Sequence, residues 1–170
     1  MAASTSSRIV IDAPRADVMA VIADFAAYPQ WASAVRAAEA LGQDTSGRAS
    51  QVRFTLDAGV LKDTYVLGYD WDGDAGVRWH LAEAGSVITS MNGGYALAER
   101  AGATEATYDL AVDLRLPMPG PLKRRAEKTI IDTALKGLKN RAERLSGQRN
   151  SDQGHSGGAR SSGDVKGDSR

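Results

Sequence analysis

Apolar and polar residues alternate along this chain with two different periods, and the change from one to the other marks out its elements. Ile9, Val10 and Ile11, ahead of Asp12, predict a short strand that ends at Ala13-Pro14. Val18, Val21, Ile22 and Phe25 then fall on one face of a helix opening at Pro14, with Met19 at its margin. Tyr28-Pro29-Gln30-Trp31 interrupts that helix. Pro29 disfavours the α conformation at Tyr28, so a second short helix is expected over residues 29–33. From Val35 the period drops from about 3.6 to 2, the mark of strands with one buried face. An alanine-rich strand over 35–41 precedes a polar turn. Val52, Phe54 and Leu56 then alternate with polar neighbours, as do Tyr65, Leu67, Tyr69 and Trp71 after a turn at Ala58-Gly59. Asp72-Gly73-Asp74 is a hairpin signal, and Val77, Trp79 and Leu81 continue the pattern beyond it. Residues 87–97 predict one bent strand or two, with Gly93-Gly94 at the bend. Tyr108, Leu110, Val112, Leu114 and Leu116 give the cleanest alternation of all.

The remaining ordered stretch, 121–145, reads as a helix of about 37 Å. Pro117, Pro119 and Gly120 end the preceding strand, and Pro121 suits the first helical position. Leu122, Ala126, Ile130, Ile131, Ala134, Leu135, Leu138, Ala142 and Leu145 recur at three- and four-residue steps and form one apolar stripe. An isolated helix of this kind cannot leave the stripe in water. The order strand, two short helices, about six strands and a long helix is therefore an α+β layout, with a curved antiparallel sheet gripping the last helix.

Composition narrows the picture. The 170 residues are 42% hydrophobic, enough for a single core. With 21 basic and 21 acidic residues, no global field draws the protein to nucleic acid or to an anionic membrane. The last helix is locally basic, with eight basic residues against three acidic ones over 121–145. No cysteine is present, which excludes disulfides, thiolate metal sites and a cysteine nucleophile. Residues 1–8 carry no signal-peptide pattern, and no apolar run reaches transmembrane length, so the expectation is a cytoplasmic protein with no stable membrane insertion. Residues 146–170 hold six glycines and six serines and one branched aliphatic residue, too little to offset ordering entropy. The expected division is a disordered N-terminus over 1–6, one domain over 7–145 and a disordered tail over 146–170.

Several phrases carry a resemblance. Ile11-Asp12-Ala13-Pro14 stands before a helix, Asp24-Phe25-Ala26-Ala27-Tyr28-Pro29-Gln30-Trp31 follows it, Gly94-Tyr95 falls late in the sheet, and Pro117-Met118-Pro119-Gly120 precedes the final helix. Together they resemble the helix-grip fold of the START-like, or SRPBCC, superfamily over about residues 7–145. The similarity is greatest to its actinobacterial polyketide cyclase/dehydrase-like branch, related to coenzyme Q-binding proteins. The resemblance implies a cavity between sheet and last helix for a hydrophobic small molecule, and no cofactor. Members range from lipid carriers to aromatases, with the chemistry set by what lines the cavity.

A catalytic set is hard to find among the residues. His155 lies in the tail. His80 sits beside Trp79 and by parity points away from the apolar face, and no partner residues at ligand spacing suggest a metal. There is no Gly-x-Ser-x-Gly turn and no phosphate-cradling glycine loop. His80, Arg78 and Tyr65 remain as weak acid/base or donor candidates for a cyclase. The aromatic residues say more. Phe54, Tyr65, Tyr69, Trp71, Trp79, Tyr95 and Tyr108 fall on strand positions assigned to the helix side, more bulky residues with polar tips than one covering helix needs. With Phe25, Trp31, Leu67, Met91 and Leu110, and with Ile131 and Leu135 from the helix, they form the expected ligand-binding lining. Three functions stay open: a carrier of a lipid, quinone or polyketide-like molecule; an aromatic polyketide cyclase/dehydrase; and an interaction module for a protein or membrane surface that uses the basic helix.

Overall fold

The computed structural model describes residues 4–59 and 61–155. Strand β1 (Thr5–Ile11) leads into helix α1 (Arg15–Ala23), a 3₁₀ turn at Phe25–Ala27 and the single-turn helix α2 (Tyr28–Trp31). Six strands follow: β2 (Val35–Gln43), β3 (Ala49–Ala58), β4 (Leu61–Asp72), β5 (Gly76–Glu83), β6 (Ile88–Arg100) and β7 (Ala103–Leu114). Helix α3 (Gly120–His155) closes the described chain. The seven strands form one antiparallel sheet in the order β1-β7-β6-β5-β4-β3-β2. A meander of hairpins thus carries the chain from β2 to β7, and β1 pairs with the last strand, Thr5 opposite Leu110 and Ile11 opposite Thr104. The two short helices cross from one edge of the sheet to the other between β1 and β2.

The alternation in sequence becomes one buried face. Val52 and Phe54 on β3, Tyr65, Leu67 and Tyr69 on β4, Val77 and Trp79 on β5, and Tyr108 and Leu110 on β7 are all buried, as are Ile131, Leu135, Leu138 and Ala142 of α3. Helix α3 lies closest to β1 and β7, and touches α1 and α2 along its second half. Over the middle strands the distance to the helix is spanned by side chains, above all by rings. Gly137 sets the contact with α2: a Cβ there would stand 2.5 Å from the Trp31 carbonyl oxygen. Its role is close approach of the helix to α2.

The structure moves several boundaries. The first strand begins at Thr5, inside the stretch expected to be disordered, because Thr5, Ser6 and Ser7 pair with Leu110, Asp109 and Tyr108. Tyr28 keeps an α conformation (φ −52°, ψ −41°) despite Pro29, which sits in the first turn of α2, where a proline lacks no partner. Residues 88–100 form one continuous strand, and the hairpin after it turns at Ala101 and Gly102, both with positive φ. β7 ends at Leu114, leaving Leu116 78% exposed, and Leu122 and Ile130, expected in the apolar stripe of α3, are exposed as well. α3 continues past Leu145 to His155, held there by the buried Ser146 and by an Arg149–Asp17 ion pair of 2.7 Å to α1. The rest of the expected tail, 156–170, and residues 1–3 lie outside the described residues.

Candidate functional site

The inner face of the sheet carries a connected row of rings. Phe54 and Tyr65, opposite one another on β3 and β4, stack at 5.8 Å between centroids. Phe25, brought in by the 3₁₀ turn, packs edge-on against Phe54 and Tyr69, and Tyr69 stacks on Trp71 at 5.7 Å. Tyr69 faces Trp79 across β4 and β5, Trp79 meets Tyr95 at 5.5 Å and Tyr108 at 5.4 Å, and Tyr95 meets its opposite number Tyr108 at 4.6 Å. Gly93, opposite Trp79, makes this possible, since a Cβ there would come within 2.8 Å of the indole ring. Tyr28 extends the row to Trp31 at 4.7 Å. Every residue expected in the lining belongs to or packs against the hydrophobic core cluster, Trp31, Trp71 and Met91 being only partly buried. Tyr28 was not expected there; its i,i+3 spacing from Phe25 was the available signal.

The polar ends of these rings fall into two groups. The Tyr28 hydroxyl donates to the Ile22 carbonyl at 2.6 Å, and the Trp71 indole N–H donates to the Ala49 carbonyl at 2.8 Å. The hydroxyls of Tyr65, Tyr69, Tyr95 and Tyr108 and the Trp79 N–H have no hydrogen-bond partner among the described residues, yet none is sealed off in the way Trp31 Nε1 is. Each of these residues keeps between 6% and 8% exposure. Burial pushes the Tyr69 phenol well above its ordinary value, and the nearby Tyr28, Tyr65, Tyr108 and Tyr95 add to the shift. Burial raises Tyr65, Tyr95 and Tyr108 likewise, so all remain protonated donors at neutral pH.

The two remaining candidates lie on the opposite face. Arg78 and His80 alternate with the buried Val77 and Trp79 and are exposed. Arg78 forms a two-pronged ion pair with Asp109, at 2.5 and 3.0 Å, across Gly94, whose lack of a side chain lets them meet. The His80 ring lies over Gly68 on β4. Both are thus outside the ring-lined interior, while Tyr65 faces into it. The buried charged residues are carboxylates that hold the frame. Glu127 of α3 accepts from the Thr5 hydroxyl at 2.8 Å and the Val112 N–H at 2.9 Å. Asp63 accepts from the backbone of Thr64, Ser86, Val87 and Ile88 and so ties β4 to the loop before β6. Asp63 also floors an open cleft of about 550 Å³ walled by Arg36, Leu56, Lys62 and Ser86. Tyr65 lies two residues along β4 from Asp63 and is not among the residues that line this cleft. Among the described residues no group of three or more histidine or acidic side chains is gathered as for a metal, and no helix is long and apolar enough to cross a membrane.

Comparison with solved structures places this geometry. A START superfamily protein from Mycobacterium smegmatis superposes with a TM-score of 0.77 at 22% identity, covering 84% of this chain and 98% of its own. The ZhuI aromatase/cyclase from a Streptomyces species superposes with a TM-score of 0.68 at 17% identity, over 85% and 95%. The di-domain aromatase/cyclase BexL gives 0.65 at 18% identity, over 81% of this chain and 45% of that one. Identities this low establish a shared fold, the START-like helix grip. No curated protein matches in sequence. The family model described as "Polyketide cyclase / dehydrase and lipid transport" matches residues 2–144, which is most of the chain. By that match, and by the sheet and helix that agree with it, the chain belongs to the polyketide cyclase/dehydrase and lipid-transport family.

Proposed function

We propose that the protein binds a hydrophobic, oxygen-bearing small molecule between the sheet and α3, as a carrier or binding module. One observation carries this reading: four phenols and an indole N–H, on rings packed along the inner face of the sheet, have no hydrogen-bond partner among the described residues. These donors are not sealed off, so an oxygen-bearing ligand that reaches them can take their hydrogen bonds in place of water. A cyclase or dehydrase, the activity named for two of the similar structures, needs in addition a group to take a proton next to a carbonyl. His80 and Arg78 lie on the outer face, and Asp63 and Glu127 are committed to N–H and O–H donors of the frame, which favours binding over chemistry. The basic helix is a weaker basis for a surface-binding role, because three of its eight basic residues over 121–145, Lys123, Lys128 and Lys139, are paired with Asp113, Asp132 and Glu143. Native mass spectrometry of protein purified from its own host tests the proposal. The expected result is a population heavier than the bare chain by one small molecule, released on denaturation; a single population at the bare mass would count against it.

A further inference from the structure

We infer that the end of the molecule formed by the β7–α3 connection docks reversibly on an anionic lipid bilayer, with Leu116 and Leu122 entering the boundary between headgroups and acyl chains and Arg115, Arg124 and Arg125 lying on the lipid phosphates. This goes beyond the interior binding role and stands on surface residues alone.

From Arg115 to Arg125 the chain reads Arg-Leu-Pro-Met-Pro-Gly-Pro-Leu-Lys-Arg-Arg, with four basic residues and no acidic one. A single exposed leucine needs no explanation. Here Leu116 is 78% and Leu122 52% exposed, and Pro117, Pro119 and Pro121 between them are exposed too. Leu122 stands about two and a half helical turns before the buried Ile131, so it faces away from the sheet. The prolines restrict the loop, which lowers the ordering entropy lost when it presents these side chains to a partner. Leucines this exposed line no groove that could hold a peptide, but a fluid apolar layer can take them in. Charge selects the kind of layer. Lys123 is taken up by Asp113 at 2.6 Å. Arg115 donates through Nε to the Ser86 carbonyl at 2.8 Å, which ties the tip to the β5–β6 loop and leaves its charge without a carboxylate. Arg124 and Arg125 are exposed and have no acidic partner among the described residues. At the same end of the sheet Arg36 and Lys62 share the carboxylate of Asp57, at 3.2 and 3.8 Å, so that group too is left positive. The docking surface is this end of the molecule and not the length of α3, where Lys128 and Lys139 are paired. Since 21 basic and 21 acidic residues cancel over the whole chain, the attraction is local, felt within roughly 10 Å of the headgroups, and docking is reversible.

Co-sedimentation of the full chain with vesicles tests this, comparing phosphatidylcholine alone with phosphatidylcholine containing about 30 mol% phosphatidylglycerol, in about 0.1 M NaCl. The anionic vesicles are expected to bind at least about tenfold more tightly, and about 0.5 M NaCl to remove most of that difference. Arg124→Gln with Arg125→Gln should weaken binding to anionic vesicles by roughly five- to thirtyfold, and Leu116→Ser with Leu122→Ser by at least about tenfold. Lys136→Gln with Arg144→Gln, exposed positions further along α3, should change it by less than about twofold. Melting temperatures close to that of the parent establish that these surface variants fold. The chain has no cysteine, so Pro117→Cys carries a single environment-sensitive fluorophore, whose emission should shift to the blue on anionic vesicles. No vesicle binding, equal binding to both compositions, or an equal loss from the distal pair overturns the inference, as does a fluorophore that stays in water on bound protein. Capture by a soluble polyglutamate peptide, or self-association in analytical ultracentrifugation, that the tip variants abolish while vesicles go unbound overturns it as well, since the tip would then face a protein.

Discussion

Asp63 accepts five hydrogen bonds, from the N–H groups of Thr64, Ser86, Val87 and Ile88 and from the Ser86 hydroxyl. Burial by itself would raise the carboxyl's pKa, but the donors at Ile88, Ser86 and Val87 outweigh it and hold the group below its ordinary value. A group lowered on folding contributes stability that is present above its unfolded pKa, near 4, and is lost as pH falls through the lower folded value. Asp63→Asn, which leaves some of these N–H groups facing an NH₂, should therefore cost about 2–3 kcal/mol at pH 7 by urea denaturation. Repeated at pH 3, the same comparison should show a smaller cost. Gly137 gives a second test at this scale. Alanine would gain about 1 kcal/mol of helix propensity, but its Cβ would press on the Trp31 carbonyl oxygen at 2.5 Å, backbone against backbone. Gly137→Ala should lower the melting temperature, and a rise would show that α2 gives way. Neither role can be read from sequence: an aspartate at a strand start and a glycine in a helix acquire these partners only through contacts distant along the chain.

At the scale of elements, Glu127 does for α3 what a capping residue does for a single helix. β1 pairs with β7 only up to the Thr5–Leu110 pair, and Glu127 supplies the acceptor for the Val112 N–H beyond that point. Glu127→Ala should cost roughly 2–4 kcal/mol, because it leaves a buried N–H without a partner, while Glu127→Gln, which keeps an acceptor, should cost less. The β6–β7 hairpin offers a change in the other direction. Ala101 holds φ +51° in a two-residue turn with Gly102, a conformation that asparagine tolerates better. Ala101→Asn should stabilise the protein by about 0.5–1 kcal/mol, a shift of a few degrees in thermal melting. The strands were legible because a half-buried sheet imposes period 2, and parity put Phe54, Tyr65, Tyr69, Trp79, Tyr95 and Tyr108 on the correct face. The ends of elements were not. Thr5 and Ser7 look like a polar tail until β7 provides a ladder, and residues 146–155 look unfoldable until Asp17 receives Arg149.

For the whole molecule, the sheet, the two short helices and α3 enclose a connected row of rings whose polar tips are hydrogen-bond donors. The composition of that lining was visible in the sequence; which hydroxyls would lack partners was not, since Tyr28 and Trp71 find carbonyl oxygens and Tyr65, Tyr69, Tyr95 and Tyr108 do not. If the interior is a binding site, occupancy must add to stability in proportion to the logarithm of free ligand over Kd, so loaded protein should melt higher than protein stripped by denaturation and refolding. The most direct test is a crystal structure of the protein as purified from its host. The account predicts a bound molecule with oxygen atoms about 2.6–3.2 Å from at least two of the hydroxyls of Tyr65, Tyr69, Tyr95 and Tyr108. Rings closed on one another with no space between them, and those hydroxyls bonded only to protein, would contradict it.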